Sequence, residues 1–563
     1  MEKRWVFPPR IPPGIDISLS RFSPIERRIL LRRGVQTEQE ATDFLRGAAP
    51  GSNDPYLMRG MQAAVDRLMR AIDSREKIVV YGDYDTDGVT ASAVMLDFLG
   101  SLGARVESYI PNRFDEGYGL NAPALAEIRE SGAALVMTVD SGIRSVAEVE
   151  SAVRGGLDVI ITDHHHPGHV LPRASSIVNP KQPGDEYPFK ELSGVGLAYK
   201  VCQAISARLD LPEPSFLLDL VALGTVADVV PLNGENRFLV SQGLEVLNRQ
   251  ARVGLRALAK VARYASGRID AAAIGFGLGP RLNAAGRMGS AAAALGLLME
   301  QNEEQARRLA EELERANDER RRITLEVVEL ARARVGEQGP QDVIVVADPS
   351  FNEGVVGLAA ARLAETYYRP ALIARRGERS TRGSARSIPG FHITQALDAC
   401  AGLTERHGGH AAAAGFSVSN ERWDEFVNRL EAFAHEAFAG RDVSPVLEID
   451  AESSLGEVSE NLLSFLQQLE PCGHGNPAPV LAVSKVRVVD RRVVGKEGGH
   501  LKMTLSDGRV FREAIAFRQG KKADELPEEV DVAFKPEWND YMGVRSIQLN
   551  VLDVRPAATG VTV

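Results

Sequence analysis

The chain has 563 residues, 44% of them hydrophobic and 25% charged, with a formal net charge of −10. That length is too great for one ordinary core, so three or more domains are expected, and the composition is that of a globular chain. No apolar run reaches the roughly 18 residues needed to span a membrane, Met1-Glu2-Lys3-Arg4-Trp5 lacks the apolar core of a secretory signal, and Cys202, Cys400 and Cys472 are isolated, which argues against a disulfide framework or a clustered zinc site and for a reducing, cytoplasmic setting.

Residues 1–50 open with a proline-rich stretch and one helix-like run, Ile25 to Phe44, and are expected to pack as an adaptor on the domain that follows. Strand-like runs at 78–81, 105–110, 134–139 and 158–162 then alternate with helical patterns at 89–101, 122–131 and 145–154, the βαβ signature of a parallel sheet. The first strand leads into Tyr81-Gly82-Asp83-Tyr84-Asp85-Thr86-Asp87-Gly88, with three carboxylates on alternate residues. Crowded like charges need a cation, and oxygen ligands suit Mg²⁺ or Mn²⁺. The run 134–139 ends in Asp140-Ser141-Gly142, the run 158–162 in Asp163-His164-His165-His166, and Asp228 stands alone in the apolar segment Gly224 to Pro231, where it needs a partner or a bound ion. Ligand sites of open α/β sheets lie beyond the carboxyl ends of the strands. Asp85, Asp87, Asp140 and His164 are therefore expected to meet at one edge, in a two-metal site.

Further along, Asn302 to Val335 is dense in Glu and Arg with apolar residues at helical spacing and no proline, which predicts a long connecting helix with a solvated face. A second α/β unit begins at Asp342-Val343-Ile344-Val345-Val346, continues in an apolar helix from Val355 to Ala364 and returns as a strand from Ala371 to Ala374. Six arginines (369, 375, 376, 379, 382 and 386) against one acid, Glu378, follow between Arg369 and His392, a candidate phosphate track despite the acidic total. After Ser444-Pro445 the pattern turns to short alternating strands, Lys485 to Val489, Leu501 to Leu505, Ala514 to Phe517, Val530 to Phe534 and Ser546 to Val551, which suggest a five-stranded barrel of the OB type. Such a module suits single strands, with Phe517, Trp538 and Tyr541 as candidate stacking residues. Pro471 to Pro477, with Cys472 and His474, lacks enough partners for zinc and reads as a structural turn.

The ordered set Tyr81 to Gly88, Val139-Asp140-Ser141-Gly142, Thr162-Asp163-His164-His165, Leu192-Ser193-Gly194-Val195-Gly196, Gly224 to Leu232, Gly279-Pro280-Arg281-Leu282-Asn283-Ala284-Ala285-Gly286-Arg287 and Gly408-Gly409-His410 resembles the DHH phosphoesterase superfamily, most closely its RecJ family. The resemblance implies an α/β multidomain protein: an N-terminal segment (1–50), a parallel-sheet DHH domain (51–300), a connecting helix (301–340), a smaller α/β DHHA1 domain (341–443) and a C-terminal OB-type barrel (444–563). It implies two Mn²⁺ or Mg²⁺ ions held by Asp85, Asp87, Asp140, His164 and Asp228, with Asp140 bridging and Asp83 a further ligand or a carboxylate that orients the others. It implies phosphate contacts from His165, Arg281, Asn283, Arg287, Ser384, Arg386 and His410, a positional role for Asp163 and none for His166.

The activity so implied is degradation of single-stranded DNA from the 5′ end to mononucleotides, in repair and recombination, by a monomer that meets single-strand-binding protein and a helicase. Three other functions are in view, of which a pyrophosphatase is the weakest, because such relatives carry a histidine where Tyr81 stands and lack the Gly409-His410 motif. A phosphodiesterase for short oligonucleotides or cyclic dinucleotides would share the metal site but would not need the barrel. A non-catalytic single-strand-binding scaffold would have no use for so costly a set of carboxylates.

Overall fold

The computed structural model describes residues 3–47, 53–113, 116–117, 119–250, 252–264, 267–338, 341–495, 498–541 and 544–557. The parallel sheet forms as expected, from β1 (Lys77–Tyr81), β2 (Arg105–Tyr109), β3 (Ala133–Val139), β4 (Asp158–Thr162) and β5 (Ser176–Val178) in the order β2-β1-β3-β4-β5. β1 is buried along its whole length, because helices cover both faces of the sheet. Helix α1 (Thr86–Ser101) packs against α2 (Gly194–Arg208) and α3 (Leu218–Ala227), so the segments that follow β1, β3 and β4 converge with the end of α3.

Helix α4 (Gly279–Met288) lies along α5 (Glu303–Gln338), the long connecting helix. At 36 residues, α5 is about 54 Å long at 1.5 Å per residue. Exposed Arg–Glu pairs such as Arg307–Glu311 at 2.6 Å support its outer face. Its apolar positions serve two cores: Ala306, Ala310 and Leu313 join that of the first domain, and Val327, Val328, Ala331 and Val335 join that of the second. The second domain is a mixed sheet of β6 (Ile344–Asp348), β7 (Ala371–Arg376), β8 (Ser380–Arg386), β9 (Thr404–Gly409) and β10 (Ala413–Ser419) in the order β9-β10-β8-β7-β6.

The C-terminal strands β11 (Leu481–Val494), β12 (His500–Ser506), β13 (Phe511–Ala516), β14 (Glu529–Tyr541) and β15 (Val544–Pro556) close a five-stranded barrel, because β14 pairs with both β15 and β11. The N-terminal segment departs from expectation in two ways. Its single helix-like run is two helices, Pro24–Arg32 and Glu38–Leu45, separated at Gly34 with φ +78° and restarted by the Thr37 cap. It also shares its core with the barrel rather than with the first domain. Leu19, Ile25, Ile29 and Leu30 lie in one apolar cluster with Leu462, Val532 and Phe534, and the strand Arg4–Val6 pairs in parallel with Val446–Glu448. Burial of apolar area, not chain proximity, decided the partner.

The turn read at Pro471 to Pro477 is a three-way joint. Leu232 donates its N–H to the His474 carbonyl at 2.6 Å, Arg33 donates to Asn476 and to the Pro477 carbonyl, and Arg237 donates to the carbonyls of Phe44, Gln468 and Glu470. Met1 and Glu2 lie outside the described residues, as does the side chain of Tyr541.

Candidate metal centre

Each ligand candidate is placed by a specific backbone device. Asp85 caps α1: its Oδ1 accepts the N–H groups of Asp87 at 2.9 Å and Gly88 at 3.1 Å. Asp87, in the first turn of α1, accepts the N–H groups of Gly194 at 2.7 Å and Val195 at 2.9 Å at the start of α2, so two helix N-termini face one carboxylate cluster. Asp140 follows β3 with φ +61°, a left-handed conformation rare outside glycine and often found at functional sites. Gly194 makes room for it, since a Cβ there would stand 2.6 Å from the Asp140 Cβ and 2.7 Å from its Oδ1. Asp228 caps the C-terminal end of α3.

Asp163 does not point at the cluster. It accepts the Ile143 N–H at 2.9 Å, the His165 N–H at 3.0 Å and His165 Nδ1 at 2.7 Å, tying the segment after β3 to the histidine pair. Burial would raise its pKa, but the His165 hydrogen bond and charge prevail and hold it below the ordinary carboxylate value. His165, against the lowering effect of burial, is raised by the same bond. A partly exposed imidazole is thereby aimed by a fixed carboxylate.

The residues converge closely. His164 Nε2 lies 3.2 Å from an Asp140 oxygen, 3.6 Å from Asp228 and 4.0 Å from Asp87. Three groups of potential ligand atoms, each within 4.8 Å of one another, are Asp83 with Asp85 and Asp140, Asp87 with His164 and Asp228, and Asp140 with His164 and His165. Asp140 belongs to two of them. Burial, followed by Asp85, raises Asp83 well above the ordinary value and Asp87 to about 7. Burial, then Asp87, raises Asp140 and Asp228. Burial, then His165, lowers His164 to about 3, which keeps it as the neutral imidazole that binds metals.

These residues fit a divalent cation on chemical grounds. Among the described residues, the buried Asp83 Oδ1, Asp228 Oδ2 and His164 Nε2 have no hydrogen-bond partner. Buried polar atoms are normally paired, and oxygen with imidazole is the donor set of Mn²⁺ and Mg²⁺.

Across from this cluster lies a cleft of about 830 Å³ lined by Arg113, Glu353, Arg382, Ser384, Arg406 and His407, among others. The Arg113 guanidinium covers the Tyr84 ring at 5.1 Å. Burial, then the charges of Arg113 and Arg320, lowers Arg287 to about 10, and burial with Arg113 lowers Arg386. Such a gathering of cations has the chemistry that suits an anion. His410, on the loop between β9 and β10, faces the His166 ring at 6.3 Å. Of the arginine block, Arg382 lines the cleft and Arg386 lies beside Gly357 and Ser384 next to it, whereas Arg369 packs against Phe438 and Arg375 pairs with Glu353 at 3.5 Å.

Two expected phosphate contacts are engaged elsewhere. Arg281 is 6% exposed, forms a two-pronged pair with Glu314 of α5 and donates to the Gly277 carbonyl at 2.8 Å. Asn283 Oδ1 accepts the Thr86 N–H at 2.9 Å. Both hold α4 against α1 and α5, so they brace the centre. Sequence reasoning missed Arg113, whose segment follows β2 without a strand-end carboxylate, and the Gly194 and Val195 amides, for which the Ser193-Gly194-Val195-Gly196 motif was the signal. Of the barrel aromatics, Phe517 is 47% exposed beside His500, and Trp538 packs on the barrel core under Arg545 at 4.3 Å.

A parallel-sheet acid–histidine centre, closed by a second α/β domain, defines a DHH-type protein. The model described as "DHH family, N-terminal domain" matches residues 77–225, "DHHA1 domain" matches 341–436 and "RecJ OB domain" matches 449–553. The chain is 39% identical over 537 residues to the single-stranded-DNA-specific exonuclease RecJ of Bacillus subtilis, covering 94% of this chain and 68% of that protein. It is 37% identical to RecJ of Dickeya dadantii over 94% of this chain and 96% of that one. The crystal structure of Thermus thermophilus RecJ in complex with Mn²⁺ superposes with a TM-score of 0.86 at 30% identity, covering 99% of this chain and 80% of that one. The chain belongs to the RecJ family.

Proposed function

We propose that the chain is a metal-dependent exonuclease that degrades single-stranded DNA from the 5′ end to mononucleotides. The observation that carries this is the juxtaposition of two opposite charge clusters: buried carboxylates around His164 on the first domain, and Arg287 and Arg386 gathered with Arg113, which lines the cleft together with Ser384. One suits divalent cations and the other a terminal phosphate. The names of the relatives, and the Mn²⁺ of the Thermus thermophilus structure, support it.

Asp85, Asp87, Asp140, His164 and Asp228, with Asp83 beside them, would hold two Mn²⁺ or Mg²⁺ ions, and Asp140 would be shared between them. Such ions, when bound, activate water at neutral pH and neutralise charge developing on a phosphate. The chain's own groups position. His165, oriented by Asp163, offers a donor to a phosphate oxygen. Arg287 and Arg386 neutralise the terminal phosphate, and Ser384 adds a hydroxyl. His410, opposite His166, closes the cleft from the second domain. The barrel would carry the strand beyond the cleft through bases stacking on aromatic residues such as Phe517.

The limits 51–300, 341–443 and 444–563 are proposed as the three larger folding units. No helix among the described residues is long and apolar enough to cross a membrane; the DNA substrate and the free thiols of Cys202, Cys400 and Cys472 support a cytoplasmic setting. Single-strand-binding protein and a helicase, which supply such a substrate, are the proposed partners.

The test is digestion of a long single strand labelled separately at each end, with Mn²⁺ and with chelator, beside the same strand in a blunt duplex. Early metal-dependent release of the 5′ label as mononucleotide from the single strand alone is expected. Early 3′ release would overturn the polarity, and cleavage of dinucleotides alone would favour the small-substrate alternative.

A further inference from the structure

Two exposed apolar side chains near the C-terminal end of α3 have no part in the chemistry described so far. Phe276 is 80% exposed. It sits in the π-helical turn Ile274–Leu278, a rare wide winding found mostly at functional sites. The turn is anchored around it. Ile274 and Leu278 are buried, Gly277 lies on the Tyr264 ring, and Gly275 and Gly279 face Val226 and Ala227 at the end of α3. Phe276 is therefore thrust into solvent from a fixed base. Val229, one residue past Asp228, is 63% exposed with φ +63°, a conformation in which a β-branched residue is a genuine outlier. A glycine would end α3 there without strain. The chain instead holds an apolar group in water beside a candidate metal ligand, and an outlier of that kind points to function.

Their place along α4 indicates what they meet. Thr86, between Asp85 and Asp87, is bonded to Asn283 Oδ1 and to the Gly279 carbonyl, so the metal centre lies against the first half of α4. Arg287 ends that helix on the side of Arg386 and Arg113, and Phe276 precedes it on the other. Eleven residues apart, at 1.5 Å each, the two stand roughly 16 Å from one another, one on either side of the centre.

We propose that Phe276, flanked by Val229, is a stacking platform for a nucleobase on the 3′ side of the scissile phosphate. This deepens the exonuclease reading and rests on it. Stacking accepts any base, because every base has a π face, as an exonuclease acting on arbitrary sequence requires. It also selects unpaired strands, since in a duplex both faces of an internal base are covered by its neighbours.

The test uses the full chain and oligodeoxynucleotides with 2-aminopurine at successive positions from the 5′ end, bound in chelator so that no cleavage occurs. One position is expected to be quenched on binding, with the quenching lost in Phe276→Ala and kept in Phe276→Trp. With Mn²⁺, Phe276→Ala should raise KM for the single strand about tenfold, the scale of one lost stacked base, with kcat nearly unchanged. An abasic site at the quenched position should lower wild-type kcat/KM by a similar factor and the variant no further. An unchanged Mn²⁺-dependent thermal shift in Phe276→Ala establishes that the centre is intact. Quenching that survives Phe276→Ala, or an abasic penalty equal in both proteins, would overturn the platform while leaving the exonuclease reading in place. Absence of any binding or cleavage of single strands by the wild type would sink both.

Discussion

At the scale of single residues, Asp163 shows how the signature named for three residues divides its labour. Asp163 accepts three hydrogen bonds from Ile143 and His165 and leaves the metal edge to His164. Asp163→Ala should therefore lower kcat about 10–100-fold, the range for groups that orient a metal site, with the Mn²⁺-induced thermal shift largely kept. Asp140→Ala should abolish turnover and leave single-strand binding measurable in a gel-shift assay. Gly194→Ala places a methyl 2.6 Å from the Asp140 Cβ, so it should remove the Mn²⁺-induced thermal shift without changing a ligand. The carboxylates were legible because charge after an apolar strand is anomalous wherever it occurs. Arg281 was not, since nothing in its local sequence says whether a phosphate or Glu314 will meet its guanidinium.

At the scale of elements, α4 and α5 are locked by that same pair, with Arg281 at 7% and Glu314 at 28% side-chain exposure. Arg281→Met should cost about 2 kcal/mol in urea unfolding, less than the 3–5 kcal/mol of a fully buried pair broken from one side, and should disturb catalysis only through the placement of Asn283. The barrel and the N-terminal helices form one apolar cluster. Deleting residues 449–557 alone should leave the chain aggregation-prone by exposing Ile25, Ile29 and Leu30. Deleting 3–47 as well should restore a soluble two-domain fragment that keeps chemistry on short strands and loses affinity for long ones. Size-exclusion chromatography of both deletions checks this. Helix and strand types were readable from period; the partner of the N-terminal helices was not, because a helix face records only that it is apolar.

At the scale of the whole molecule, the first domain, the second domain and the barrel, bridged by α5 and by the joint around Arg237, hold opposite charges face to face. Without cations the carboxylate side is self-repelling. Asp87 stands at about 7 through burial and Asp85, above its unfolded value. A carboxyl raised in this way favours the folded state below the unfolded pKa and loses that contribution as pH rises through about 7. The Tm of chelated protein should accordingly fall between about pH 4 and pH 7, and saturating Mn²⁺ should remove most of the fall. A Tm that is flat with pH in chelator would show the cluster to be relieved by other means.

The sequence by itself determined the parallel sheet, the long helix, the barrel strands and the acidic and histidine residues of the centre, because period, strand-end position and isolated charge in apolar runs are local quantities. Only the tertiary structure decided that the N-terminal segment belongs with the barrel, that Arg281 and Asn283 brace the centre, that Arg113 joins Arg287 and Arg386, and that Phe276 and Val229 stand exposed near the end of α3. Those facts depend on which surfaces, far apart in the chain, meet when apolar area is buried, and on what a buried charge then finds within hydrogen-bond reach.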